Sequence, residues 1–120
     1  MQDLQQLKIR LREFAEERDW DQFHSPKNLS MALIGEAAEL VEHFQWSTQA
    51  QSSNVSHEQL SEIELELADI FLYLVRLADK LNVDLLKAAS KKIEINAQKY
   101  PAHKVKGKSD KYTAYDKDND

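Results

Sequence analysis

S-P-K-N-L-S-M-A-L-I-G-E-A-A-E-L-V-E-H-F-Q-W, running from Ser25 to Trp46, is the stretch from which the fold of this chain is read. It opens with a helix start. Ser25 can accept from free backbone N–H groups, and Pro26 suits the first helical position because it has no N–H to satisfy. Leu29, Leu33, Ala37, Leu40 and Phe44 then recur at steps of four, four, three and four, which is one face of a helix closing at Trp46. Glu36 and Glu39 each stand one residue before a member of that stripe, so two carboxylates project together at the edge of the buried face. Two acids there repel each other and resist desolvation unless a cation sits between them.

Its counterpart is L-S-E-I-E-L-E-L-A-D-I-F-L-Y-L-V-R-L-A-D-K-L, from Leu60 to Leu81. Leu60, Ile63, Leu67, Ile70, Leu74, Leu77 and Leu81 alternate steps of three and four, a seam that predicts packing against other helices. Ser56 and Gln59 form a capping-box pattern at its start, and a helix running to Lys80 is the longest element, about 37 Å. Glu66 and Asp69 repeat the three-residue spacing and the offset of the first pair, with Tyr73 continuing their line. Side-by-side packing of the two helices converges Glu36, Glu39, Glu66 and Asp69 into one acidic cluster.

The remaining elements frame this pair. Leu4, Leu7, Leu11, Phe14 and Arg18 lie on one stripe of a first helix over Asp3–Arg18. D-W-D-Q-F-H then breaks the pattern and places Trp20, Phe23 and His24 in a loop, where aromatics either anchor the loop or wall a flat ligand. His24 alone reads as a surface or hydrogen-bonded histidine. Gly35 costs a helix roughly 1 kcal/mol relative to Ala, which points either to a close helix approach or to space beside Glu36. S-T-Q-A-Q-S-S-N-V reads as a polar, flexible connection. Asp84 caps a fourth helix whose stripe is Leu86, Ala89, Ile93, Asn96 and Tyr100, and Asn96 there either links helices or meets a ligand. Pro101 ends it. Residues 1–102 are expected to form one all-α domain, a four-helix bundle, followed by a polar tail over 103–120.

Composition agrees with that class. The chain has 120 residues with two glycines, two prolines and no cysteine, so hairpin turns are scarce and disulfides, thiolate ligands and a cysteine nucleophile are excluded. A net charge of −5 argues against a general nucleic-acid binder, although divalent cations can bridge an acidic protein to a polyphosphate. No apolar run spans a bilayer and the N-terminus carries no apolar signal region, so a soluble cytoplasmic protein is expected. Neither a P-loop nor a dinucleotide-binding fingerprint is present.

Four carboxylates beside a helical core form a hard-oxygen site suited to Mg²⁺ or Mn²⁺. The bland reading is a set of solvated helix faces. A di-iron bundle site would need Glu-x-x-His, and neither pair supplies the histidine.

The ordered set E-R-D-W, F-H and N-L (17–29), A-L-I-G-E-A-A-E-L-V-E-H-F-Q-W (32–46), E-L-A-D-I-F-L-Y-L-V (66–75), V-D-L (83–85) and N-A-Q-K-Y-P-A-H (96–103) resembles the all-α nucleoside triphosphate pyrophosphohydrolases of the MazG-like superfamily. The likeness is strongest to the dCTP pyrophosphatase branch. It implies Mg²⁺-dependent hydrolysis of a dNTP to the monophosphate and pyrophosphate. By position, Glu36, Glu39, Glu66 and Asp69 would hold the metal, with Glu36 or Glu39 activating water. Trp20, His24, Trp46 and Tyr73 would line the nucleotide pocket, and Asn96 and Lys99 would lie near the phosphates or base. Leu11 stands where related enzymes can carry histidine, and Lys99 where arginine is common; both bear on base preference.

The resemblance also implies a dimer of dimers. Phe71 and Val75, beside the main seam of the long helix, are expected to remain as apolar partner surface in a homotetramer. Pockets at subunit boundaries would let Trp20 or Trp46 stack on a base; alternatively both only seal the ends of their own bundle. Two other classes stay open: a nucleotide-binding protein without turnover, and a helical assembly module.

Overall fold

The computed structural model describes residues 3–109 and residue 113, and among them there are helices and no strand. The order is α1 (Leu4–Glu17), a 3₁₀ turn (Asp21–Phe23), α2 (Pro26–Glu42), α3 (Gln49–Ser52), α4 (His57–Lys80), α5 (Leu85–Lys99) and α6 (Ala102–Val105). The all-α expectation holds. The chain divides after Val83 into two compact units.

Local chemistry sets the helix starts in both units. Asp3, Ser25, Thr48, Ser56 and Asp84 each accept from a backbone N–H three residues on, satisfying a donor that the helix leaves free. Helices α1 and α4 stop at left-handed residues, Asp19 (φ 55°) and Asn82 (φ 56°), types that tolerate this conformation. Beyond each, the chain closes back on the helix: the Trp20 N–H donates to the Ala15 carbonyl and the Val83 N–H to the Ala78 carbonyl, both at 2.8 Å. The first closure delivers Trp20 to the loop ahead of α2.

In the first unit α2 packs along α4, α1 lies against α4, and the 3₁₀ turn contacts α1. Leu7, Ala15, Leu29, Ile63, Val75 and Ala78 form the core, with Leu29 wholly enclosed. The α2 stripe behaves as read, since Leu29 is buried and Leu33, Ala37, Leu40 and Phe44 are half-buried.

The long helix behaves differently. Leu60, Leu67 and Leu74 of the predicted seam stay exposed, as does Phe71, while Val75 is only 4 % exposed. Val75 therefore belongs to the core and not to leftover surface, because α1 covers α4 toward its C-terminal end and draws Val75 and Ala78 inward. Leu60, Leu67, Phe71 and Leu74 recur at steps of seven, four and three, so they form one continuous apolar strip along α4. Met31, Ile34 and Val41 make a second exposed apolar strip on α2.

Two local expectations change. Helix α2 stops at Glu42, where the His43 N–H turns back to the Leu40 and Val41 carbonyls, so Phe44–Trp46 continue as turn. The connection read as flexible holds α3, one turn closed by a full capping box between Thr48 and Gln51. The T-x-x-Q signal is the same one that marks Ser56.

Gly35 has nothing within 4 Å of where a Cβ would stand, so no close helix approach within the described chain requires it. Gly35→Ala is expected to stabilise the fold by roughly 0.5–1 kcal/mol. Thermal unfolding checks this, and a lowered Tm would mean that another surface occupies that space.

In the second unit Asp84 caps α5 through the Lys87 N–H at 3.1 Å. Leu85, Ile95 and Lys99 are half-buried, whereas Leu86 and Ile93 of the predicted stripe are exposed. The expected tail begins with the single turn α6; its residues 110–112 and 114–120 lie outside the described residues. Among the described residues no helix is long and apolar enough to cross a membrane.

Candidate metal centre

The helical spacing that places Glu36 and Glu39 on one side of α2 meets Glu66 on the adjacent face of α4. One carboxylate oxygen from each of the three lies within 4.8 Å of the others. Among the described residues of the first unit, no lysine or arginine forms an ion pair with them. Glu36 and Glu66 are half-buried, and each has an oxygen, Oε2, that is sealed from solvent without a hydrogen-bond partner among the described residues.

Electrostatics registers the crowding. Burial and then the neighbouring Glu39 carboxyl push Glu36 up from its ordinary 4.5 to about 7, with Asp69 adding to the rise. Burial and Glu39 also raise Glu66. Asp69 is exposed and lies outside the 4.8 Å set, so it acts on Glu36 and Glu66 through its charge. Three converging hard oxygens, two of them on carboxyls with orphaned buried atoms, fit a divalent cation, which would satisfy those atoms and offset the repulsion. The donor set contains neither sulfur nor imidazole, only hard carboxylate oxygens.

The other expected site residues are less uniformly placed. Trp20 is half-exposed, its ring meeting the edge of Phe14 at 5.8 Å and 68°, while Arg18 covers the Phe14 ring at 3.6 Å. Tyr73 is half-buried on α4. Trp46 is 90 % exposed, so it seals nothing among the described residues. Asn96 and Lys99 lie on α5, in the second unit. Thus three of the four acids come together in the first unit, Asp69 borders them, Trp20 and Trp46 follow the ends of α1 and α2, and Tyr73 lies within α4.

His24 is held by a group the sequence reading passed over. Arg76, only 6 % exposed, donates its Nε–H to His24 Nδ1 at 3.2 Å and its Nη2–H to Asp21 Oδ1 at 2.6 Å. Lys80 also donates to Asp21. Arg76 further pairs with Asp79, which in turn accepts from Arg12 Nε and Nη2 at 2.7 and 2.6 Å. The Arg12 hydrogen bonds hold Asp79 below the usual carboxylate range, and the Lys80 hydrogen bond does the same for Asp21. Arg12, Glu16, Asp21, Arg76, Asp79, Lys80 and Asn82 line an open cleft of about 260 Å³. A guanidinium amid Val75, Leu77 and Ala78, with Asp79 three residues on, is the sequence signal for this network.

Comparison with known proteins now decides the family. The MazG-like family model matches residues 33–114, a span holding all four acids, Trp46, Tyr73, Asn96 and Lys99. The chain belongs to the MazG-like family. Trp20 and His24 fall N-terminal to the matched span. Among related proteins, dCTP pyrophosphatase 1 of Homo sapiens is 47 % identical over 103 residues, covering 84 % of this chain and 61 % of that protein. The Rattus norvegicus dCTP pyrophosphatase 1 is 45 % identical over the same extent. This chain therefore spans about three-fifths of the length of those relatives. A pyrophosphatase from Archaeoglobus fulgidus, known from a crystal structure, superposes with a TM-score of 0.77 at 38 % identity, covering 81 % of this chain and 91 % of that one.

Proposed function

We propose that this MazG-like chain is a divalent-metal-dependent nucleoside triphosphate pyrophosphohydrolase that converts dNTPs such as dCTP to the monophosphate and pyrophosphate, removing nucleotides from the pool. The observation that carries this reading is the Glu36–Glu39–Glu66 convergence with its two orphaned oxygens. The related dCTP pyrophosphatases and the archaeal pyrophosphatase support the substrate class and the bond cleaved.

Glu36, Glu39, Glu66 and Asp69 would hold Mg²⁺, with Mn²⁺ as the alternative. Such an ion supplies positive charge against the triphosphate and makes nearby water more acidic. Glu36 or Glu39 then accepts the proton of the attacking water, which strikes the α-phosphorus in line as pyrophosphate departs. Trp20, His24, Trp46 and Tyr73 are the nucleotide-binding residues of this reading, which also assigns Asn96 and Lys99 to the phosphates or base. No covalent intermediate is required.

The catalytic domain is residues 1–102 in this reading, a four-helix bundle with 103–120 as its tail. The exposed strips on α2 and α4 support assembly through the long helices, and we place the protein in a homotetramer built as a dimer of dimers. A base bound at a subunit boundary gives the otherwise solvent-facing Trp46 a role. The reaction belongs to soluble cytoplasmic nucleotides, with no nucleic acid or membrane as partner.

Incubation of each dNTP with the protein and Mg²⁺ tests the reading, with dNMP and pyrophosphate as the expected products. Inorganic phosphate alone would mean cleavage at a different bond. Saturable nucleotide binding without product under any divalent metal would make the chain a binder, and neither binding nor product would leave an assembly module.

A further inference from the structure

Arg76 is a nearly sealed cation whose Nε–H is directed at a ring nitrogen. A guanidinium has five donors and no acceptor, and it stays protonated at any pH the fold survives. His24 Nδ1 must therefore supply the lone pair in the 3.2 Å contact, which puts the ring proton on Nε2. Asp21 fixes the other prong of the guanidinium at 2.6 Å, and Asp79 faces its third nitrogen at 3.6 Å, so the fork has little freedom to turn. Protonating Nδ1 would set two donors against each other. His24 Nε2, by contrast, has no partner among the described residues and is not sealed from solvent.

We propose that Arg76 is a positioning residue that holds His24 as the neutral Nε2–H tautomer, leaving Nε2–H as a preset donor for an uncharged acceptor of the nucleotide, such as a base carbonyl. The proposal rests on the reading of the Trp20–His24 loop as part of the nucleotide pocket. The charged groups facing His24 act in the matching direction on balance: burial, then Arg76 and Lys80, lower its pKa, and only Asp21 opposes them. A neutral donor favours the base or sugar over the triphosphate, whose charge a histidine cation would serve better. The arrangement also links α4, which carries Glu66, to the loop that leads into α2, which carries Glu36 and Glu39.

The test reads the ring directly and then the kinetics. Long-range ¹H–¹⁵N spectra of the full chain should show His24 as the Nε2–H tautomer at neutral pH, titrating below the ordinary 6.5. Arg76→Met should give a tautomer mixture and move the titration upward. Asp21→Asn, an exchange on the exposed side, should keep the tautomer and lower the titration further. An Nδ1–H tautomer in the unaltered protein, or an Arg76→Met ring indistinguishable from it, would overturn the proposal. If Arg76→Met does not fold, the unaltered protein and Asp21→Asn still decide. With dCTP and Mg²⁺, Arg76→Met and His24→Gln should each raise KM roughly threefold to tenfold with kcat retained, the effect of one lost neutral hydrogen bond. A tautomer lock without any KM change in His24→Gln would remove the loop from the pocket while leaving the lock itself standing. Absence of all dCTP turnover would instead remove the proposed function.

Discussion

Glu39→Gln, and equally Asp69→Asn, should leave the helices intact and reduce dNTP turnover at least about a hundredfold. The exchange keeps the shape and polarity of each side chain, and both residues are exposed on helices whose packing comes from Leu29, Ile63 and Val75. What disappears in either case is one anionic oxygen of the proposed metal-holding set. The same loss should stabilise the metal-free protein, because Glu39 and Asp69 both press on Glu36 and Glu66. Opposite signs for activity and Tm distinguish a metal centre from a packing role, where both would fall together. Circular dichroism, thermal unfolding in EDTA, and turnover at saturating Mg²⁺ measure the three quantities. Unchanged turnover in single substitutions of all four acids would sink the assignment.

Millimolar Mg²⁺ should raise the Tm, and by more at pH 8 than at pH 6. Between pH 4.5, the ordinary Glu value, and about 7, folded Glu36 keeps a proton that the unfolded chain has released. The folded state then binds more protons, so the stability of the metal-free protein contributed by this group falls as pH rises through that window. Glu66 acts in the same direction. His24 acts oppositely, since its lowered pKa makes the folded state hold fewer protons just below pH 6.5. Comparing Glu36→Gln with the unaltered chain cancels the histidine and isolates the falling component. Ion binding requires the same carboxylates ionised, so protons compete with metal and the competition ends above pH 7. An ion at a hundredfold excess over its Kd stabilises by about 2.7 kcal/mol, on the order of 10 °C in Tm. A Tm indifferent to Mg²⁺ at pH 8, or a Glu36→Gln profile parallel to that of the unaltered chain, would contradict the site.

Much of the first unit was legible because its signals are local. Ser25–Pro26 and Ser56–Gln59 mark helix starts through bonds made within one turn, and the α2 stripe is buried as its spacing requires. The acid triad was legible because helical spacing fixes which neighbours share a face, so only the pairing of two helices had to be supplied. The α4 seam was less so. Periodicity reports that a face is apolar but not whether its cover comes from the same chain, and Leu60, Leu67 and Leu74 remain bare while Val75 is enclosed. Asp69 shares the spacing of Glu66 yet lies outside the oxygen triad, since a matching offset does not fix the reach of a carboxylate across the helix contact. The Arg76–His24 contact was illegible as a pair, joining residues far apart in the chain through a turn whose path no pattern records.

The Arg12–Asp79 fork has a consequence for ionic strength. Asp79 has a side chain only 7 % exposed while its partner Arg12 is 48 % exposed, so dissolved ions reach this attraction between α1 and α4 from one side. The acids around Glu36 include the exposed Glu39 and Asp69, whose repulsion dissolved ions do reach. Salt thus relieves the force that spreads the carboxylates and also screens, from the Arg12 side, the force that clasps the helices. Distilled water, which leaves the crowded acids unscreened, is therefore expected to lower the Tm of the metal-free fold through the Glu36 cluster. A salt series in EDTA reads that change against the loss at the Arg12 clasp.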